Sequence, residues 1–405
     1  MWKVLFFIGL LLIVGACSQR AGTPVASPSQ TDDTTPTRPV SPTTIAAVQE
    51  FLGPEFPPGA EEFSTDFSNH IVPYDEILSG GPPKDGIPAI DEPKFVSVVE
   101  ADEWLRPLEP VIQLEVGDMV RAYPLQILVW HEIVNDWVGE TPLLVTFCPL
   151  CNTAIAFERR VKGEAVTFGT TGKLRFSNLI MYDRPTESWW QQATGEAIAG
   201  ELSGTRLKGI PALIVAWQDF REAFPEALVL SRDTGYPRYL ERYGLNPYLG
   251  YDNIDSSPFL FSGPPSPDAM PPMARVLTLD LNGEAVAFPY ETLSQVGVVN
   301  ETVGGEPVTI FWQPGVASPL DVAQIGDGRD VGTAAAFSRQ VEGMTLNFSS
   351  RSEVIRDEQT GSTWDIFGQA SDGSLEGTQL ESVVSINHFW FSWAAFRPDT
   401  RIYVP

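Results

Sequence analysis

Two thiols stand three residues apart in the stretch TFCPLCNTAIAF, residues 146–157, at Cys148 and Cys151. The chain has 405 residues but only one other cysteine, Cys17, and three histidines. A C-x-x-C pair supports three kinds of chemistry. As thiolates, the two sulfurs bind a thiophilic metal, copper or zinc, when further nitrogen or sulfur donors join them. As a redox pair, they cycle between dithiol and disulfide without metal. As a structural disulfide they do little, because so short a loop removes little chain entropy, and the chain would then be a non-enzymatic binding or scaffold module with its Tyr-rich connector as the interface.

A third donor follows from the turn before them. The segments HEIVNDWV, 131–138, and TPLLVTFC, 141–148, flank Gly139 and Glu140. Two loop residues with glycine first suit a type II′ hairpin turn. That turn pairs Val138 with Thr141 and, counted back along both strands, His131 with Cys148. Opposed residues share a face, with Cβ atoms about 4.5–5.5 Å apart. The expected metal ligands are therefore Cys148, Cys151 and His131. Met181, in NLIMYDR, and His388, in INHFWFSW, are the candidates for a fourth. The residues after Cys151 read as a hairpin, whereas thioredoxin-like proteins place a helix there, so a redox role would sit on another fold. Asp183, Arg184 and Glu187 form a weaker acid–base candidate. No catalytic residue is assigned, and whether the chain is an enzyme stays open.

The elements that hold these residues recur. VRAYPL, 120–125, resembles VAFPY, 286–290, and NDWVGETPLLVTFCP, 135–149, resembles NETVGGEPVTIFWQP, 300–314, at one constant offset. Shifted matches continue to DRPTESWW against DEQTGSTW and on to the C-terminus. The expected fold is mainly β with short helices, α+β. It is internally duplicated: two similar β-rich units, 109–231 and 276–404, pack about a pseudo-twofold. VIQLEVGDMVRAYPL and TAIAFERRVKGEAVTFG read as hairpins, and PLQILVW and WQDFREAF as short helices. In the second unit Val296, Gln313 and Val316 stand where His131, Cys148 and Cys151 stand in the first, so the trio is dispensable for folding. Asp183 recurs as Asp357, which points to a turn role. An arm, 47–108, precedes the first unit, and a connector rich in Tyr and Pro, 232–275, joins the two.

The N-terminus speaks to location. Lys3, an apolar run from Val4 to Val14, and Gly15-Ala16-Cys17 resemble a bacterial lipoprotein signal ending in a lipobox, residues 1–17. Lipid on Cys17 would anchor an extracytoplasmic protein to the cell membrane or the outer membrane. A Ser/Thr/Pro-rich tether, 18–46, follows. The formal charge of −26 excludes a nucleic-acid partner. An envelope protein handling metal or electrons is the expected partner.

DGIPAID, WHEIVND, TFCPLC, LIMYDR and GRDVGTAAAF together resemble the bacterial domain-of-unknown-function family 3179. The resemblance implies an exported, often lipid-anchored protein and supplies no activity. Asn152 follows the second cysteine where the family pattern has glycine, and asparagine also tolerates positive φ.

Overall fold

The computed structural model describes residues 55–267 and 269–405. The signal, Cys17, the tether and the start of the arm lie outside the described residues. Strands dominate, and the α-helices among the described residues are at most seven residues long.

The hairpin Pro110–Val116/Met119–Pro124 turns at Gly117 and pairs Val116 with Met119. Pro124 then starts the helix Leu125–His131 from an extended conformation. Next comes the hairpin Ile133–Val138/Thr141–Cys148. It turns at Gly139, φ 58°, and pairs Val138 with Thr141, the register expected from the sequence. Thr153–Glu158 adds on the far side of Thr141–Cys148, and Lys208–Ile210 completes this four-stranded antiparallel sheet. Thr141–Cys148 is buried from residue 142 onward. A central strand covered on both faces reads as an unbroken apolar run, which explains LLVTFC.

The expected hairpin over TAIAFERRVKGEAVTFG forms only at its tip, Arg160–Val161 with Glu164–Ala165. Beyond the tip the chain changes sheets. Phe168–Arg175 pairs instead with Asn178–Asp183, in a five-stranded sheet whose edge strand, Ile77–Ser79, comes from the N-terminal arm.

A similar series of elements follows the connector. Arg275–Leu281 and Glu284–Pro289 pair as a hairpin, and the helix Tyr290–Val296 comes next. The hairpin Val298–Val303/Glu306–Gln313 has the same strand lengths and turn spacing as Ile133–Val138/Thr141–Cys148. The two stretches share apolar cores. One buried cluster joins Val111, Trp217 and Ala122 to Phe311, Phe337 and Trp364. Another joins Cys148, Cys151 and Met181 to Met273, Phe389 and Phe391. The described residues belong to one compact unit. None of their helices is long and apolar enough to cross a membrane.

Candidate functional site

Strand Thr141–Cys148 ends at Cys148, which caps a single 3-10 turn over Pro149–Cys151. Proline at the first turn position costs nothing there, since its missing N–H would be unpaired. Asn152 closes the turn in the left-handed region, φ 52°, and its N–H returns to the Pro149 carbonyl at 3.2 Å. Thr153 then pairs back with Cys148. The reversal brings the two sulfurs into contact as free thiols, 2% and 0% exposed. Cys148 Sγ also faces the Ser177 carbonyl at 3.7 Å. Burial first, and the Cys151 thiol second, push the Cys148 pKa well above the usual thiol range. Glu132 adds to this effect, so the ionisable groups acting on Cys148 carry the same sign as its thiolate.

His131 does not face the sulfurs. The helix runs through His131, and strand pairing begins only at Ile133. Between them Glu132 takes a left-handed conformation, φ 58°, that turns the chain. The His131 ring therefore packs among Tyr236, Tyr239 and Tyr243, with centroids 4.9–5.8 Å away. Its Nδ1 donates to the Pro88 carbonyl and its Nε2 accepts from the Tyr243 hydroxyl, each at 2.8 Å. Burial lowers its pKa to about 4, so the ring is neutral and both nitrogens are engaged. Its role here is to fasten the connector.

The same connector reaches the dithiol with its next two tyrosines. The Tyr251 hydroxyl donates to the carbonyl of Leu150, between the cysteines, at 3.0 Å, and accepts the Phe259 amide. Tyr248 packs against the same apolar cluster, and burial raises its pKa, with Glu132 and Cys148 adding to the effect. Glu132 is 8% exposed, and its carbonyl accepts the amide of Phe147, the residue before Cys148, at 2.9 Å. Burial alone raises its carboxyl pKa to about 8, with no hydrogen bond or cation opposing the shift.

His388 and Met181 do approach the loop. Met181 is fully buried in the cluster that holds both cysteines. His388 Nδ1 lies 2.9 Å from Thr153 Oγ1, which donates to the Cys151 carbonyl at 3.1 Å. That chain assigns the ring proton to Nδ1 and leaves Nε2 without a partner among the described residues. Burial lowers the His388 pKa to about 3, so this ring too is neutral. Among the described residues no three His, Cys, Asp or Glu side chains converge as a metal cluster.

The acid–base candidates are spent on structure. The Asp183 carboxylate accepts from Thr186 and from Trp190 Nε1. Asp357 makes the same bonds to Thr360 and Trp364. Arg184 pairs with Asp91, and Glu187 with Lys84 and the Ser64 amide.

A family model described as protein of unknown function (DUF3179) matches residues 84–400. The chain belongs to the DUF3179 family. No curated protein and no solved structure matches it. The DUF3179 match takes in every residue of the dithiol site, from Glu132 to His388.

Neither Glu132 nor the connector tyrosines Tyr248 and Tyr251 stand out in the sequence as residues of the site. A signal for Glu132 was available. At the constant offset its counterpart is Gly297, which ends the helix Tyr290–Val296 at φ 70°. Helices commonly end on a left-handed glycine. A glutamate in that place, one residue after His131, marks a helix end and an added carboxyl.

Proposed function

We propose that this protein is a dithiol–disulfide redox protein of the bacterial envelope, with Cys148 and Cys151 as its redox pair. The observation that carries the reading is a pair of buried free thiols touching across one tight turn, at the end of a strand whose counterpart in the second hairpin ends on Gln313. We read the chain as one β unit used twice, with the chemistry kept in the first copy. The second copy supplies His388, which braces the Cys151 carbonyl through Thr153. The lipobox at Cys17 supports a lipid anchor facing an oxidising compartment, where such a pair meets partner disulfides.

A metal centre is the competing account. His131 has both nitrogens engaged elsewhere, which favours the dithiol. Elemental analysis beside thiol counting separates the two. The expected result is metal-free protein with two titratable thiols that vanish on mild oxidation and return on reduction. Stoichiometric copper or zinc, lost in Cys148→Ser, would overturn the redox reading.

A further inference from the structure

We propose that the connector segment 253–263 is a flap clipped shut over the dithiol, and that its opening presents Cys148 to a substrate disulfide, with Cys151 held back as the resolving thiol. The inference rests on the dithiol reading above and gives each sulfur its own role. It starts from burial. At 2% and 0% exposed, neither cysteine meets a substrate until something above it moves. The connector is what lies there: Tyr248, Tyr251 and Phe261 pack on the apolar cluster that holds Cys148, Leu150 and Cys151.

Hydrogen bonds run from the flap to one side of the turn. Phe259 is the clip. Its carbonyl accepts from Ser177 Oγ, and its amide donates to the Tyr251 hydroxyl at 3.2 Å. Ser177 in turn offers its carbonyl to Cys148 Sγ at 3.7 Å, and Tyr251 donates to the Leu150 carbonyl at 3.0 Å. Both paths end on the Cys148–Leu150 side. Cys151 is tied the other way. Its carbonyl accepts from Thr153 Oγ1, which the fully buried His388 braces. Release at Phe259 therefore loosens Cys148 and leaves Cys151 in place.

The backbone on both sides of the clip fits this motion. Segment 253–263 forms no strand or helix, and its backbone bonds are local turns, such as Ser256 N–H to the Asn253 carbonyl at 2.9 Å. Ile254 and Phe259 are exposed. Segments with no ladder and few buried contacts open first. Just before the flap the chain is anchored: the buried Asp252 carboxylate pairs with Arg275 at 2.7 Å and Arg329 at 2.8 Å. Beneath the flap, the two-residue turn between Arg175 and Asn178 is left-handed at both Phe176, φ 53°, and Ser177, φ 64°. Such turns usually carry Asn and Gly, and a bulky aromatic there is strained. Strain of this kind gathers at functional sites. Here Phe176 packs on Phe261 of the flap, with centroids 6.3 Å apart, and Ser177 holds the flap with its hydroxyl and Cys148 with its carbonyl.

With the flap open, the exchange runs in order. Cys148 gives its proton to water, and the thiolate attacks one sulfur of the substrate disulfide. A Cys148–substrate disulfide forms, the substrate S–S bond breaks, and the first substrate thiolate leaves and takes a proton from water. Cys151 then loses its proton to water and attacks Cys148 Sγ. The protein disulfide closes, and the second substrate thiolate is released and protonated. Two electrons and two protons have passed from the protein dithiol to the substrate.

The test uses the full chain, with iodoacetamide as label and hydroxyethyl disulfide as substrate, both read by mass mapping of the two cysteines. Cys148 should label before Cys151 in the native protein. Cys151→Ser should trap the mixed disulfide on Cys148, and Cys148→Ser should trap none on Cys151. Ser177→Ala and Tyr251→Phe each unfasten the clip and should speed labelling at Cys148 by about two- to tenfold, as a lost hydrogen bond implies, with Cys151 unchanged. Amide hydrogen exchange should rise in 253–263 and not elsewhere. A merely structural loss would instead speed both cysteines and raise exchange throughout. Cys151 labelling first or together with Cys148, or rates unmoved in both clip variants, would overturn the flap and leave the dithiol reading intact. A mixed disulfide on Cys148 with no Cys148–Cys151 disulfide in wild type would uphold the presentation of Cys148 and overturn the redox pair.

Discussion

At the scale of single residues, burial keeps the His131 and His388 rings neutral and raises both the Glu132 carboxyl and the Cys148 thiol. The histidines are structural: His131 fastens the connector, and His388 braces the turn. Glu132 is the residue whose presence costs stability. A non-glycine residue in the left-handed region costs about 1 kcal/mol. Its raised pKa adds a further penalty, because the unfolded chain ionises this carboxyl from about 4.5 while the folded chain resists until about 8. The penalty is absent below pH 4.5 and complete above 8. Glu132→Gly should therefore be more stable than wild type at pH 7, by about 1–3 kcal/mol. Urea unfolding checks this, and a less stable variant would show that the carboxyl contributes to packing instead.

At the scale of elements, the turn and the connector act together. Tyr251 pins the loop between the cysteines through the Leu150 carbonyl, and Tyr248 lies over the same cluster. Removing that hydroxyl should loosen the turn. Tyr251→Phe is expected to alkylate at Cys148 a few-fold faster at fixed pH, with its fold unchanged, since a lost hydrogen bond is worth about 1 kcal/mol. An unchanged rate would mean that the turn opens by another route. This is also the scale at which the sequence could be read and misread. Gly139 set the hairpin register correctly, because a two-residue turn with a leading glycine leaves little freedom. Carrying that register back to His131 failed, because the helix expected over PLQILVW runs one residue further and takes in His131. A left-handed residue at the helix end then rotates His131 away from the strand. The connector's part was not legible either. Five tyrosines among prolines and glycines have no periodicity, and only tertiary contact shows that three serve His131 and two serve the cysteines.

For the whole molecule, buried carboxyls shape the dependence on pH. Burial raises Glu109 to about 7, Glu132 to about 8 and Asp219 to about 6. Each favours the folded state when protonated, so stability falls as pH rises from about 4.5 toward 8. Other carboxylates act in the opposite sense. Backbone bonding by Lys84 lowers the Glu62 pKa, and Trp364 and Thr360 help to lower that of Asp357 despite its burial. Stability tied to these groups is lost as pH falls below about 4. The thermal midpoint should peak near pH 5 and decline toward pH 8. Added salt should raise it at neutral pH by screening the charge of −26. A midpoint that climbs from pH 5 to 8 would contradict this balance.

The central claim is that Cys148 and Cys151 exchange reversibly between two thiols and one disulfide. An equilibrium titration in glutathione buffers of stepped redox ratio, quenched with acid and read by peptide mapping, tests it most directly. The account predicts a single two-electron transition to a Cys148–Cys151 disulfide, the same in both directions and absent in Cys148→Ser. A pair that stays reduced across the whole range, or oxidises without return, would contradict it.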